Sequence, residues 1–191
     1  VAQTEGQSIT LIYVDATEGW INTTESTGQA GLLPAFITAT GGTITTVDTD
    51  YKVHTFTGPG TFTVCSAGNP LGSSSVDYLV VAGGGSGGNA NCGSNGQAGG
   101  AGAGGFREGY NPGSYTASPL ATTALPVSVQ GYTIAVGGGG PARTSQGTGN
   151  SGSNSTFSTI ISTGGGGGGK TTAAGSGGSG GGAACGNAAG A

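Results

Sequence analysis

Asp77-Tyr-Leu-Val-Val-Ala82 runs without interruption into Gly83-Gly-Gly-Ser-Gly-Gly88, and how that join is read decides the fold. The leading piece is short, apolar and rich in β-branched and aromatic residues, the composition of a strand packed on a pleated surface. The trailing piece has almost no side chains to pack. The same join recurs twice: Tyr132-Thr-Ile-Ala-Val136 passes into Gly137-Gly-Gly-Gly140, and Phe157-Ser-Thr-Ile-Ile-Ser-Thr163 passes into Gly164 through Gly169. Glycine loses more backbone freedom on folding than any other residue, so a single run of this kind is a flexible linker. A linker, however, has no reason to follow a strand each time. Extended chains without side chains can lie side by side as polyproline-II-like helices and bond their N–H and C=O groups to one another. The expected fold class is therefore all-β: strands and hairpins lead into packed polyglycine-II-type helices, with essentially no α-helix. A disordered glycine tail is the alternative. The structural glycines of the packed reading are Gly83, Gly84, Gly85, Gly137, Gly138, Gly164, Gly165 and Gly166.

Composition narrows the function. Of 191 residues, 46 are glycine, 34% are hydrophobic and only 6% are charged, with a formal net charge of −4. A collagen triple helix needs glycine at every third position, which contiguous runs do not give. Disordered chains combine low hydrophobicity with high net charge, and this charge is too small to hold the chain apart. Low charge suggests assembly. Lys52, Arg107, Arg143 and Lys170 are too few to neutralise a phosphate backbone, so nucleic acid is not an expected partner. No apolar run approaches the ~18 residues that span a bilayer, and no membrane insertion is expected. The three cysteines have no metal-ligand spacing and are too few for a disulfide scaffold. Cys65, in a predicted strand, reads as a buried free thiol. Cys92 and Cys185 lie in glycine-rich segments, where a bridge could staple two runs together.

Along the chain, Ile9-Thr-Leu-Ile-Tyr-Val14, Asp15 to Gly19 and Trp20-Ile-Asn-Thr-Thr24 read as strand, turn and strand. Trp20, the sole tryptophan, reads as a packing anchor, in the core or between chains. Leu32 to Ile37 is a sticky stretch in an otherwise polar and glycine-containing linker. Further on, Gly58-Pro-Gly60 between Tyr51–Thr57 and Thr61–Cys65 predicts a hairpin. The domains expected are residues 1–30, a β-hairpin module, 31–42, a linker, and 43–191, a glycine-rich β/polyglycine domain.

The run Ser8-Ile-Thr-Leu-Ile-Tyr-Val-Asp-Ala-Thr-Glu-Gly-Trp-Ile21 resembles the "YVDATKGW" segment of tail-fibre and related structural proteins of bacteriophages, especially those of marine and cyanobacterial hosts. His54-Thr-Phe-Thr-Gly-Pro-Gly-Thr-Phe-Thr-Val64, Val76-Asp-Tyr-Leu-Val-Val-Ala-Gly-Gly-Gly85, Gly104-Gly-Phe-Arg107 and Thr156-Phe-Ser-Thr-Ile-Ile-Ser-Thr-Gly-Gly-Gly166 resemble the glycine-rich domain of phage tail fibres and adhesins. The likeness covers roughly residues 50 to 182. It implies the distal part of a tail fibre: an intertwined homotrimer in an extracellular virion, attached to other virion tail proteins and facing a glycan or outer-membrane protein of the bacterial host.

The densest aromatic and charged cluster, Phe106, Arg107, Glu108, Tyr110 and Tyr115, reads as a solvent-facing loop that could stack on a sugar and bond its hydroxyls. The competing reading is a local Arg107–Glu108 pair with the aromatics covering the glycine bundle. Gly164-Gly-Gly-Gly-Gly-Gly-Lys-Thr171 matches the P-loop pattern, but Thr172 to Gly182 cannot form the helix that must follow it. No cofactor is expected. His54 sits alone in a strand, and Asp48 and Asp50 form a polar turn without the oxygen ligands of a calcium loop. No catalytic or metal residues are expected, and the chain reads as a non-enzyme. A non-viral extracellular filament or matrix subunit is the alternative.

Overall fold

The computed structural model describes residues 9–16, 20–25, 34–90, 97–111, 121–170, 173–184 and 189–190, so Cys92, Tyr115 and Cys185 lie outside the described residues. Every regular element among the described residues is a strand, and the chain is all-β. Strands β1 (Ile9–Tyr13) and β2 (Trp20–Glu25) form the expected amino-terminal hairpin, with Tyr13 opposite Trp20. Next come β3 (Thr38–Thr40), β4 (Thr43–Val47), β5 (Tyr51–Thr55) and β6 (Gly60–Ser66). Strands β7 (Ser75–Val76), β8 (Tyr78–Val81) and β9 (Phe106–Tyr110) follow. The rest are β10 (Thr122–Thr123), β11 (Leu125–Pro126), β12 (Gly131–Ala135), β13 (Ser155–Phe157) and β14 (Ile160–Ser162).

The largest sheet is antiparallel and five-stranded, in the order β14-β13-β12-β6-β3. A second sheet has the order β10-β9-β8, and β7 pairs with β11. Three expectations are corrected here. Gly58-Pro-Gly60 does not close a hairpin, because β5 pairs with β4 while β6 pairs with β3 and β12. The tight turn is instead Asp48-Thr49-Asp50, where Asp48 and Thr49 have φ of 48° and 64°. Two successive left-handed residues give the twist that a short hairpin needs. Second, the stretch read as a linker supplies β3 to the main sheet. Third, Phe157 to Thr163 is not one strand but the end of β13, a turn at Ser158 (φ 54°) and Thr159, and β14.

The core follows from period-two alternation. Along β6, Phe62 and Val64 turn inward and are buried while Cys65 turns outward. Cys65 is thus an exposed free thiol, not the buried one expected. Phe62, Val64, Val80, Val127, Tyr132 and Phe157 make one cluster, each burial being worth about 1.5–3 kcal/mol. Phe157 meets Phe62 edge-on at 6.0 Å, and His54 meets Phe62 edge-on at 5.0 Å. His54 Nδ1 also lies 2.8 Å from Gly41 O, so this histidine is packed among its neighbours. The Tyr132 hydroxyl accepts bonds from Gln130 Nε2 (2.9 Å) and the Ser128 N–H (2.8 Å). Those bonds, Gln130's foremost, hold its pKa below the ordinary tyrosine value.

Beyond the strands the chain runs as side-by-side extended segments bonded to one another. Gly85 and Gly88 donate to Gly102 and Gly99, and Ser86 and Asn89 to Asn150 and Gly147. The run Gly164–Gly169 is wholly buried at their centre. Gly165 and Gly168 donate to Gly83 and Ser86, and Gly166 and Gly169 donate to Ser179 and Gly182. Its carbonyls accept in turn: Gly165 and Gly168 from Gly152 and Gly149, Gly166 and Gly169 from Gly102 and Gly99, and Gly164 and Gly167 from Gly178 and Gly175. Each neighbour is met at every third residue. Ordering six glycines costs about 3–6 kcal/mol more than ordering six alanines. The bonds this run makes, at about 0.5–1.5 kcal/mol each, sum to the order of 10 kcal/mol and outweigh that cost.

A methyl group added at Gly167 would overlap Gly149 O, whereas at Gly138 nothing lies within 4 Å. Gly167→Ala is therefore expected to destabilise the fold by about 3 kcal/mol or more, lowering Tm by about 10 °C, while Gly138→Ala stays within about 1 kcal/mol of the parent. Thermal melts of both variants check this. In hydrogen exchange, the Gly165, Gly166, Gly168 and Gly169 amides are expected to exchange at least about a thousandfold more slowly than an unstructured glycine chain; exchange at the unstructured rate would mean the run is a linker. Ser162 Oγ is fully buried with no hydrogen-bond partner among the described residues. Since a buried unbonded hydroxyl is penalised, Ser162→Ala is expected to raise stability by about 1 kcal/mol, read as a higher denaturant midpoint.

Candidate functional site

The bonded segments have two ends. At one they continue the sheets, leaving β8 at Ala82, entering β9 from Gly105, leaving β12 at Val136 and leaving β14 at Thr163. At the other end the chain turns back, around Asn89, residues 141–147 and Lys170. An extended run gains about 3.1 Å per residue, which places the turns roughly 20 Å beyond the sheets.

The turn at 141–150 is pinned at several points. Asn89 and Gly147 exchange backbone bonds of 2.9 and 3.0 Å. Asn89 Nδ2 donates to Arg143 O at 3.0 Å, and Asn150 Nδ2 donates to Pro141 O at 2.7 Å. Gly147 has φ of 151°, and a side chain there would run into the Arg143 guanidinium. Lys170 Nζ donates to Gln146 Oε1. Arg143 and Gln146 are exposed and Lys170 is half-buried. Two of the chain's four basic residues thus flank one short segment, Gln146–Gly147.

The cluster expected to bind a receptor lies in a different part of the fold. Phe106, Arg107, Glu108 and Tyr110 belong to β9, the middle strand of its sheet, and are not in a loop. Pairing with β8 on one side and β10 on the other uses that backbone, and Glu108 is buried. Arg107 Nη1 donates to Phe106 O at 3.0 Å. Phe106 remains 41% exposed beside Val81 at 52% and Leu79 at 61%, an outward apolar face on β8 and β9. Trp20 is 67% exposed, its ring edge-on to Tyr13 at 5.4 Å, and it therefore anchors no core among the described residues.

One feature of the sequence sets the two basic residues of this turn apart. All eight acidic residues precede residue 109, while Arg143 and Lys170 follow it. Residues 1–108 thus carry a net −6 and residues 109–191 a net +2.

An open groove of about 340 Å³ between Gly41–Thr43 and Thr55–Thr61 is lined by threonine, glycine, Phe56 and Pro59. It holds no acid, base or nucleophile beyond threonine hydroxyls. No group of three His, Cys, Asp or Glu that could hold a metal occurs among the described residues. The amides that a P-loop would offer to phosphate, those of Gly165, Gly166, Gly168 and Gly169, are bonded to other backbone oxygens. No helix of the described residues is long and apolar enough to cross a membrane.

Neither the curated proteins nor the solved structures contain a match to the chain. Residues 55–191 match the family model of a glycine-rich domain, a span covering more than half of the chain, and the protein therefore belongs to that glycine-rich domain family.

Proposed function

We propose that this chain is the distal part of a bacteriophage tail fibre, a non-catalytic virion component that attaches the particle to the bacterial surface. In this reading the bonded segments are polyglycine-II-type helices forming a stiff spacer. The observation that carries it is the three-residue recurrence of hydrogen bonds around Gly164–Gly169, because such a bundle holds the distal turns away from the sheets without a large core. The resemblance of Tyr13-Val-Asp-Ala-Thr-Glu-Gly-Trp20 to the phage segment supports the same assignment.

The proposed assembly is a homotrimer that joins other virion tail proteins and meets a host glycan or outer-membrane protein in the extracellular space. Two hairpins support self-association. Leu11, Ile12, Tyr13 and Trp20 are each more than half exposed on β1 and β2. Ile44, Val47, Tyr51 and Val53 are also exposed on β4 and β5. A two-stranded hairpin alone is marginal in water, and contact between copies would bury these faces. The same exposed hairpins are the observation that favours the second reading, an extracellular filament or matrix subunit built by open-ended contacts.

The two readings separate by symmetry. Electron microscopy and solution mass are expected to give a closed three-fold particle of three chains, and Trp20→Ala is expected to shift it towards single chains at low concentration. An open helical polymer would instead establish the filament.

A further inference from the structure

We propose that the distal turn binds an anionic saccharide, with a carboxylate or phosphate group seated between Arg143 and Lys170; this rests on the attachment reading above. The first support is charge. No acidic side chain occurs in residues 109–191, so the two cations lie in a part of the sequence with no carboxylate side chain of its own, whereas residues 1–108 are net negative. An anion is repelled by that part of the chain and drawn to the turns.

The second support is placement. The Lys170 ammonium is bonded to Gln146 Oε1 and the Arg143 guanidinium lies against Gly147, so both heads border the same two-residue segment. A guanidinium presents a planar fork that matches the two oxygens of a carboxylate or phosphate, and an ammonium adds a compact second charge. Gln146, Thr144 and Ser145 are exposed in the same turn and offer an amide and two hydroxyls to a sugar.

The third support is preorganisation. Asn89 and Asn150 tie the turn to the run 82–89 and to Pro141 by four bonds of 2.7 to 3.0 Å, so little freedom is left to lose on binding.

Titration calorimetry at about 20 mM salt tests this with three probes of equal length: an oligogalacturonate, a phosphorylated oligomannose and a neutral maltooligosaccharide. The expected result is that at least one anionic probe binds about tenfold or more tightly than the neutral one, more weakly as salt is raised. R143Q and K170Q are each expected to lower that affinity about tenfold, and R107Q to leave it unchanged. Equal binding of the neutral probe, no binding of either anionic probe, or an R107Q loss equal to that of R143Q would each overturn the proposal. Adhesion of the purified assembly to a panel of bacterial cells separates the two levels. Adhesion that survives in the R143Q/K170Q double variant overturns the anion site and leaves attachment standing. Absence of adhesion by the parent chain removes the attachment reading, while the calorimetry still decides the site.

Discussion

Backbone-to-backbone hydrogen bonding between chains that carry no Cβ is the constraint on which the rest of this molecule depends. A main-chain N–H or C=O buried without a partner costs about as much as the bond it fails to make. In Gly164–Gly169 all six carbonyls accept a bond, from Gly178, Gly152, Gly102, Gly175, Gly149 and Gly99. Those donors belong to separate stretches, and each can reach its acceptor only because nothing projects from either chain. An added methyl group at Gly164, Gly165, Gly166, Gly167 or Gly168 would collide with backbone oxygen. Glycine is therefore required there for closeness of approach more than for its conformational range.

The sheets and the glycine runs solve each other's problem. A glycine run has no side chain with which to choose a partner or a register, so its neighbours must be fixed from outside. The strands do that: β8, β12 and β14 each end where a run begins, and their pairing with β9 and β13 sets the starting level of adjacent runs. The small aromatic cluster of Phe62, Tyr132, Phe157 and Tyr78 locks those strands together. Edge-on aromatic pairs add about 0.5–1.5 kcal/mol each beyond their burial. The runs in return carry the turns around Asn89, Arg143 and Lys170 well away from that cluster.

The three strand-to-glycine joins were legible because both halves are local signals: Val, Ile and Tyr for the strand, and loss of every side chain for the run. Partner choice was not, since Gly165 and Gly168 are identical in sequence terms to Gly164 and Gly167 yet bond to different stretches. Gly58-Pro-Gly60 misled because β5 and β6 each take other partners; the polar turn read at Asp48 and Asp50 is the one that closes a hairpin, with a left-handed φ on the β-branched Thr49. The outward Cys65 was within reach of the sequence, because burial of Phe62 and Val64 on a period-two strand turns residue 65 outward. Phe106 to Tyr110 read as a loop because aromatic and charged groups are densest there; β8 and β10 claim both its edges all the same. Arg143 and Lys170, 27 positions apart, come to border the segment Gln146–Gly147 only through the antiparallel return of the runs, and only the one-sided charge distribution hinted at them.

Scalar coupling transmitted through hydrogen bonds, recorded by NMR between the amide nitrogens of Gly165 and Gly168 and the carbonyl carbons of Gly83 and Ser86, reads these contacts one by one. Each coupling exists only if that particular bond is made. Both couplings are expected, three residues apart on each segment. Their absence, with these glycines at random-coil shifts, would contradict the bonded arrangement and return the runs to flexible linkers.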